Sequence, residues 1–196
     1  MSVKQERENT SEHSTPSNWN VPNVLTSLRI IVIPLFAWFV LQSDGYITRW
    51  LWWAFGTFVA LMITDKLDGD IARAKNLVTN FGKIADPIAD KALMITALVT
   101  LNIIGFVPWW ITIVIVVREL GITLWRFFEL KKGNVVPASK GGKIKTTLQA
   151  LAVALYLLPL PDAAQPIQFF VMLCAVVVTV VTGVQYLIDA KKLKNA

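Results

Sequence analysis

Asp65, Asp68, Asp86 and Asp90 are the residues of this chain best placed to do chemistry together. Asp65 and Asp68 stand three positions apart, and Asp86 and Asp90 stand four apart; on helices, both spacings put the pair on one face. Four carboxylates at close range repel, and they stay ionised together only with cations among them. The donors are hard oxygens with no histidine or cysteine nearby, which points to Mg²⁺ or Mn²⁺. Two such ions can clamp a pyrophosphate and stabilise a leaving oxygen. Gly69 and Gly82 lack side chains, so a bulky group such as a nucleotide can approach the helix backbone there, and Arg73 can neutralise a phosphate. The plainer reading is a set of solvated helix-end charges. Single acids in such places commonly are that, whereas two matched pairs at apolar boundaries are not.

The elements that must carry these groups are apolar. Of the 196 residues 55% are hydrophobic and 16% charged, and the mean hydropathy is +0.54. That is too little charge to cover a water-soluble domain of this length. Six apolar stretches run over 24–42, 50–66, 87–105, 108–128, 146–161 and 166–188. Each is near the roughly 20 residues a helix needs to cross a bilayer, so the expected fold is all-α with six transmembrane helices. The first acidic pair ends the second stretch and the second pair opens the third. The short connection predicts that these two spans are antiparallel neighbours, with the carboxylates converging at one interface.

The loops predict orientation. Lys66, Arg73, Lys75 and Lys83, then Lys131, Lys132, Lys140, Lys143 and Lys145, then Lys191, Lys192 and Lys194 cluster in alternate loops, and so on one side of the spans. By the positive-inside rule both termini and the acidic site face the cytoplasm. Trp50, Trp52, Trp53, Trp109 and Trp110 fall at the other ends of their helices, as an aromatic belt does. The net charge of +6 then belongs to cytoplasmic loops and anionic headgroups, with no nucleic acid as partner. Residues 1–18 read as a polar, disordered tail without the features of a signal peptide, 19–190 as the membrane domain and 191–196 as a basic tail. Cys174 is alone, so no internal disulfide forms, and His13 lies in the polar tail.

The stretch from Asp65 to Asp90 resembles, without a gap, the signature D-x2-D-G-x2-A-R-x8-G-x3-D-x3-D of the CDP-alcohol phosphotransferase family. All its fixed positions are present: Asp65, Asp68, Gly69, Ala72, Arg73, Gly82, Asp86 and Asp90. The resemblance implies six membrane helices, two metal ions, a CDP-linked donor and a homodimer. It implies that Asp65, Asp68 and Asp86 are metal ligands. Asp90 would be the general base, also able to touch metal, and Gly69, Ala72 and Arg73 would line the cytidine diphosphate site.

Two further stretches bear on the acceptor. Residues 20–29 carry Asn20, Pro22, Asn23, Thr26 and Arg29 in the order N-x-P-N-x-L-T-x-x-R. This resembles the opening of the family's bacterial phosphatidylglycerophosphate synthase branch. Pro22 and Asn23 also suit a helix start, but Arg29 inside an apolar span needs a partner. Residues 137–149 carry Ser139, Lys140, Lys143, Lys145 and Thr146 in a segment similar to A-S-x-x-G-K-x-K-T of the same branch, and Arg118-Glu119 is similar to its R-E pair. The lysines also satisfy the positive-inside rule, and Arg118 and Glu119 could simply neutralise each other. Read functionally, Arg118, Lys140, Lys143 and Lys145 form an anion pocket for glycerol 3-phosphate, with CDP-diacylglycerol as donor. The implied location is the bacterial inner membrane. A same-family transferase for inositol phosphate, inositol, serine or phosphatidylglycerol is the alternative. A divalent-cation transporter is disfavoured, since its acids would line a path across the membrane.

Overall fold

A computed structural model describes residues 20–74, 79–131 and 141–195. Among them the chain is helical: α1 (Val21–Ser43), α2 (Thr48–Ala74), α3 (Asn80–Ile103), α4 (Trp109–Lys131), α5 (Gly141–Leu157) and α6 (Gln165–Asn195), with a 3-10 turn at Asp162–Ala164 before α6. Helix starts follow local chemistry. The Asn20 side chain caps α1 by accepting from the Asn23 backbone N–H at 3.0 Å, with Pro22 in the first turn. Thr79 caps α3 in the same way through the Gly82 N–H. Ser43 hands over to α2 through a tight turn in which Asp44 and Gly45 both take positive φ.

The six helices match the six apolar stretches, but two boundaries differ. α2 continues past residue 66 to Ala74, and α3 begins at Asn80, well before residue 87. Backbone hydrogen bonding does not require apolar side chains, so both helices outrun their hydrophobic segments and carry the whole acidic motif on helical backbone. α5 ends at Leu157, because Pro159 and Pro161 follow. α6 runs on through residues 191–195.

The arrangement departs from the expected pairing of α2 with α3. Each packs more extensively on α1 than on the other, so α1 lies along both. α5 touches α2, α3 and α6, and α4 rests on α3 and α6. The core threads all of them through Phe36, Phe58, Leu98, Ile111, Leu157 and Met172, each almost fully buried. The outer faces are apolar instead of polar: Ile31, Trp53, Val117, Phe128 and Phe170 are all exposed. α1 and the 162–188 segment are long and apolar enough to cross a membrane, and only 28% and 39% of their most apolar stretches are buried inside the protein. Neither behaves as the core helix of a water-soluble protein. An apolar exterior of this kind suits contact with lipid. Trp38, Phe39, Trp50 and Trp53 pack together at the end of α1 and α2, about fifteen residues and so ~22 Å from Asp65.

Phe36 has no exposed surface and packs on Phe58 with ring centroids 5.8 Å apart. Phe36→Ala should cost about 3–5 kcal/mol, read as a lower unfolding midpoint in detergent. Val117→Ala, on the outer face, should change it by less than ~0.5 kcal/mol.

Candidate active site

α1 turns a polar stripe toward its two neighbours. Asn23, Thr26 and Arg29, spaced three apart, are all nearly inaccessible. Arg29 Nη2 donates to Asp68 Oδ2 at 2.6 Å, and Nη1 stands 2.6 Å from Asp65 Oδ1 as an ion pair. The planar guanidinium fork thus spans the first acidic pair, reaching one oxygen of each carboxylate. Thr26 Oγ1 donates to Asp86 Oδ1 at 2.5 Å and to the Pro22 carbonyl at 3.1 Å. Asn23 Oδ1 accepts from Thr79 Oγ1 at 2.9 Å. One helix therefore grips both acidic helices: α2 through Arg29, and α3 through Thr26 and Asn23.

Gly82 has a packing reason. A Cβ there would stand 3.0 Å from Asn23 Oδ1 and 3.4 Å from Thr79 Oγ1, so the missing side chain admits the α1–α3 contact. Gly69 and Ala72 continue α2 beyond Asp68 and are half-buried. Asp90 faces a cleft together with Lys91, Glu119, Thr146 and Gln149, with Met94 and Leu98 among its apolar residues. Asp65 lies in electrostatic range of Asp68, Asp86 and Asp90, so the four acids form one electrostatic group.

Among the described residues, no three carboxylates close on a single metal position. The donor set nonetheless fits divalent cations. It is made of hard oxygens only, and a single buried guanidinium leaves four carboxylates with excess negative charge.

Glu119 is the centre of a second network. Lys145 Nζ donates to Glu119 Oε1, and Arg118 Nη1 reaches the same oxygen at 3.3 Å. Arg118 Nη2 donates to Thr182 Oγ1 at 3.2 Å, tying this guanidinium to α6 as well. Among the four cations expected to form one anion pocket, the structure thus puts Lys145 and Arg118 on a shared carboxylate. Lys140 and Ser139 lie outside the described residues, as do the side chains of Arg73 and Lys143. Thr146 lines the cleft. Sequence reading missed Thr79, which stands at a variable position between the two acidic pairs. It also missed Glu119 as a hub, although an acid deep in an apolar stretch was a signal that a cation must come to it.

Arg29→Met should leave Asp65 and Asp68 facing each other without their cation and cost about 3–5 kcal/mol in metal-free buffer. Added Mg²⁺ should restore part of the lost unfolding midpoint, and more of it in the variant than in the unaltered protein, because the freed carboxylates are then open to the ion. An equal Mg²⁺ response in both proteins would count against Arg29 as the resident counter-charge.

The family model for CDP-alcohol phosphatidyltransferase matches residues 19–181. A Mycobacterium tuberculosis H37Rv protein named "Probable phosphatidylglycerophosphate synthase" is 41% identical over 171 residues, covering 87% of this chain and 81% of that protein. The "CDP-diacylglycerol--glycerol-3-phosphate 3-phosphatidyltransferase" of Bacillus subtilis is 38% identical over 181 residues, covering 86% of this chain and 93% of that protein. A Rickettsia felis protein of the same name is 36% identical over 183 residues, covering 88% and 96%. With its acidic motif gathered around Arg29 and Thr26, and a match that spans most of its length, the chain belongs to the CDP-alcohol phosphatidyltransferase family.

Proposed function

We propose that this enzyme moves the phosphatidyl group of CDP-diacylglycerol onto glycerol 3-phosphate, giving phosphatidylglycerophosphate and CMP. The observation that carries the reading is that α1 ties Asp65 and Asp68 through Arg29 and Asp86 through Thr26, with Asp90 on a cleft that also holds the Glu119 carboxylate paired to Lys145. The names of the relatives support the choice of donor and acceptor.

Asp65, Asp68, Asp86 and Asp90 would hold two Mg²⁺ or Mn²⁺ ions. Bound there, the ions supply electrostatic stabilisation of the diphosphate and of the leaving oxygen. Gly69, Ala72, Arg73 and Gly82 line the CDP side. Asp90 takes the proton of the acceptor hydroxyl; that oxygen bonds to the phosphorus carrying the diacylglycerol, and the bond from this phosphorus to CMP breaks. Arg118, Lys140, Lys143 and Lys145 receive the acceptor phosphate, with Ser139 and Thr146 as polar neighbours. Asn23, Thr26 and Arg29 hold the acids in place.

The chain works as six membrane spans in the bacterial inner membrane, with both termini and the site on the cytoplasmic side, as a homodimer. The basic segments that flank the acidic motif support the orientation. A site at the interface lets a lipid donor and a water-soluble acceptor meet without either crossing the bilayer.

The test is turnover by purified protein in detergent with CDP-diacylglycerol and Mg²⁺, offered glycerol 3-phosphate, inositol, inositol phosphate or serine in parallel. Lipid product and CMP should form together, with glycerol 3-phosphate alone, and should cease on chelation of divalent ions. Asp90→Asn should lower kcat by about 10²–10⁴-fold while the unfolding midpoint holds. Product formed with a different acceptor would overturn the acceptor assignment, and a fully active Asp90→Asn would remove Asp90 as the base.

A further inference from the structure

Lys145 and Arg118 share a carboxylate but are not held alike. Arg118 is fixed from several sides. Nη1 reaches Glu119 and Nη2 donates to Thr182 Oγ1. Its stem lies over Gly183, where a Cβ would stand 3.2 Å from both Cγ and Nε. Lys145 stands in the second turn of α5, with its side chain 5% exposed, and pairs with Glu119 Oε1. A buried ammonium on a flexible stem, close to the positive end of a helix, is held there by its partner's charge. Asp90, which lines the cleft with Glu119, also lies in electrostatic range of Lys145 as a competing carboxylate.

We propose that Glu119 is a positioning residue for the acceptor phosphate: its carboxylate, which lines the cleft, holds Lys145 at the cleft's edge, ready for an incoming phosphate and apart from Asp90. The proposal rests on the acceptor reading above and adds a residue which that reading did not use. Glu119 carries one negative charge against two cations, so this corner keeps a net positive charge, and a phosphate entering the cleft meets a lysine already directed by a neighbour. The effect runs through Lys145 alone, because Arg118 keeps Thr182 and its seat over Gly183 when Glu119 is neutralised.

The experiment compares unaltered protein with Glu119→Gln, Glu119→Asp, Lys145→Met and the double variant Glu119→Gln/Lys145→Met. Glu119→Gln should raise KM for glycerol 3-phosphate roughly tenfold and leave KM for CDP-diacylglycerol where it was. Glu119→Asp should recover part of the loss. The double variant should be no worse than Lys145→Met. Thermal protection by inorganic phosphate, read without turnover, should weaken in Glu119→Gln and in Lys145→Met to the same degree. A parallel rise of both KM values, a fall in kcat alone, or losses that add in the double variant would each overturn the proposal. If Glu119→Gln does not fold, the double variant decides. Phosphate protection equal to that of Lys145→Met supports the proposal, and protection equal to that of unaltered protein overturns it. Unaltered protein that rejects glycerol 3-phosphate but is protected by phosphate would remove the acceptor reading and leave the Glu119–Lys145 link open to the same comparison.

Discussion

The guanidinium of Arg29 is the interaction on which the architecture turns. It is 1% exposed, and it takes one oxygen from each of two carboxylates on another helix. An unpaired ion at that depth costs several kcal/mol, so neither side of the pair is tolerable alone. Arg29 and its acids therefore dictate how α1 is rotated and how deep it sits against α2. Once that rotation is set, Thr26 and Asn23, one and two turns earlier, are aimed at α3. They meet Asp86 and the Thr79 cap there. A single arginine on the first helix thus orients both halves of an acidic motif that lies wholly on other helices.

The same logic recurs on a smaller scale where α4 meets the cleft. Glu119, an acid in an apolar helix, draws Lys145 from α5 and Arg118 from its own helix, and Thr182 of α6 completes the group. Gln149 and Thr179 add a neutral hydrogen bond between α5 and α6 at 2.7 Å. Polar contacts hold the helices together at the end where the acids lie, while the core from Phe36 to Met172 is apolar. Chemistry and packing are in this sense divided along the helix axes, with the cleft crossing from one regime into the other.

Much of the candidate site could be proposed from the sequence because its motif is local. Carboxylates three and four apart, with glycines and an arginine at set intervals, retain their meaning whatever surrounds them, and six apolar stretches of spanning length locate the helices. Contacts between distant segments were not legible. The connection between α2 and α3 suggested that they would pair, whereas α1 packs on both, and periodicity says nothing about which helix fills a groove. Arg29 was readable as a cation in need of a partner, but its partner was not. Asn23 suited a helix start, yet Asn20 makes the cap and Asn23 makes an interhelical contact. The helix limits at Ala74 and Asn80 were hidden because hydropathy marks where lipid ends, not where hydrogen bonding ends.

The separation between Arg29 and its partners has a consequence for biogenesis. Asp68 follows Arg29 by 39 residues, and Asp86 follows Thr26 by 60. At ribosomal speeds of roughly 5–20 residues per second, the arginine waits about 2–8 s for its counter-charge to be synthesised. In the proposed membrane arrangement, α1 enters the bilayer with a bare cation, a burden of at most ~2.5–3.5 kcal/mol, the insertion-scale value for a helix centre. A window of mean hydropathy 2.2 is what lets it do so. In that arrangement the apolar length of the first helix, which takes no part in the chemistry, serves as ballast that keeps the arginine in place until the acids arrive.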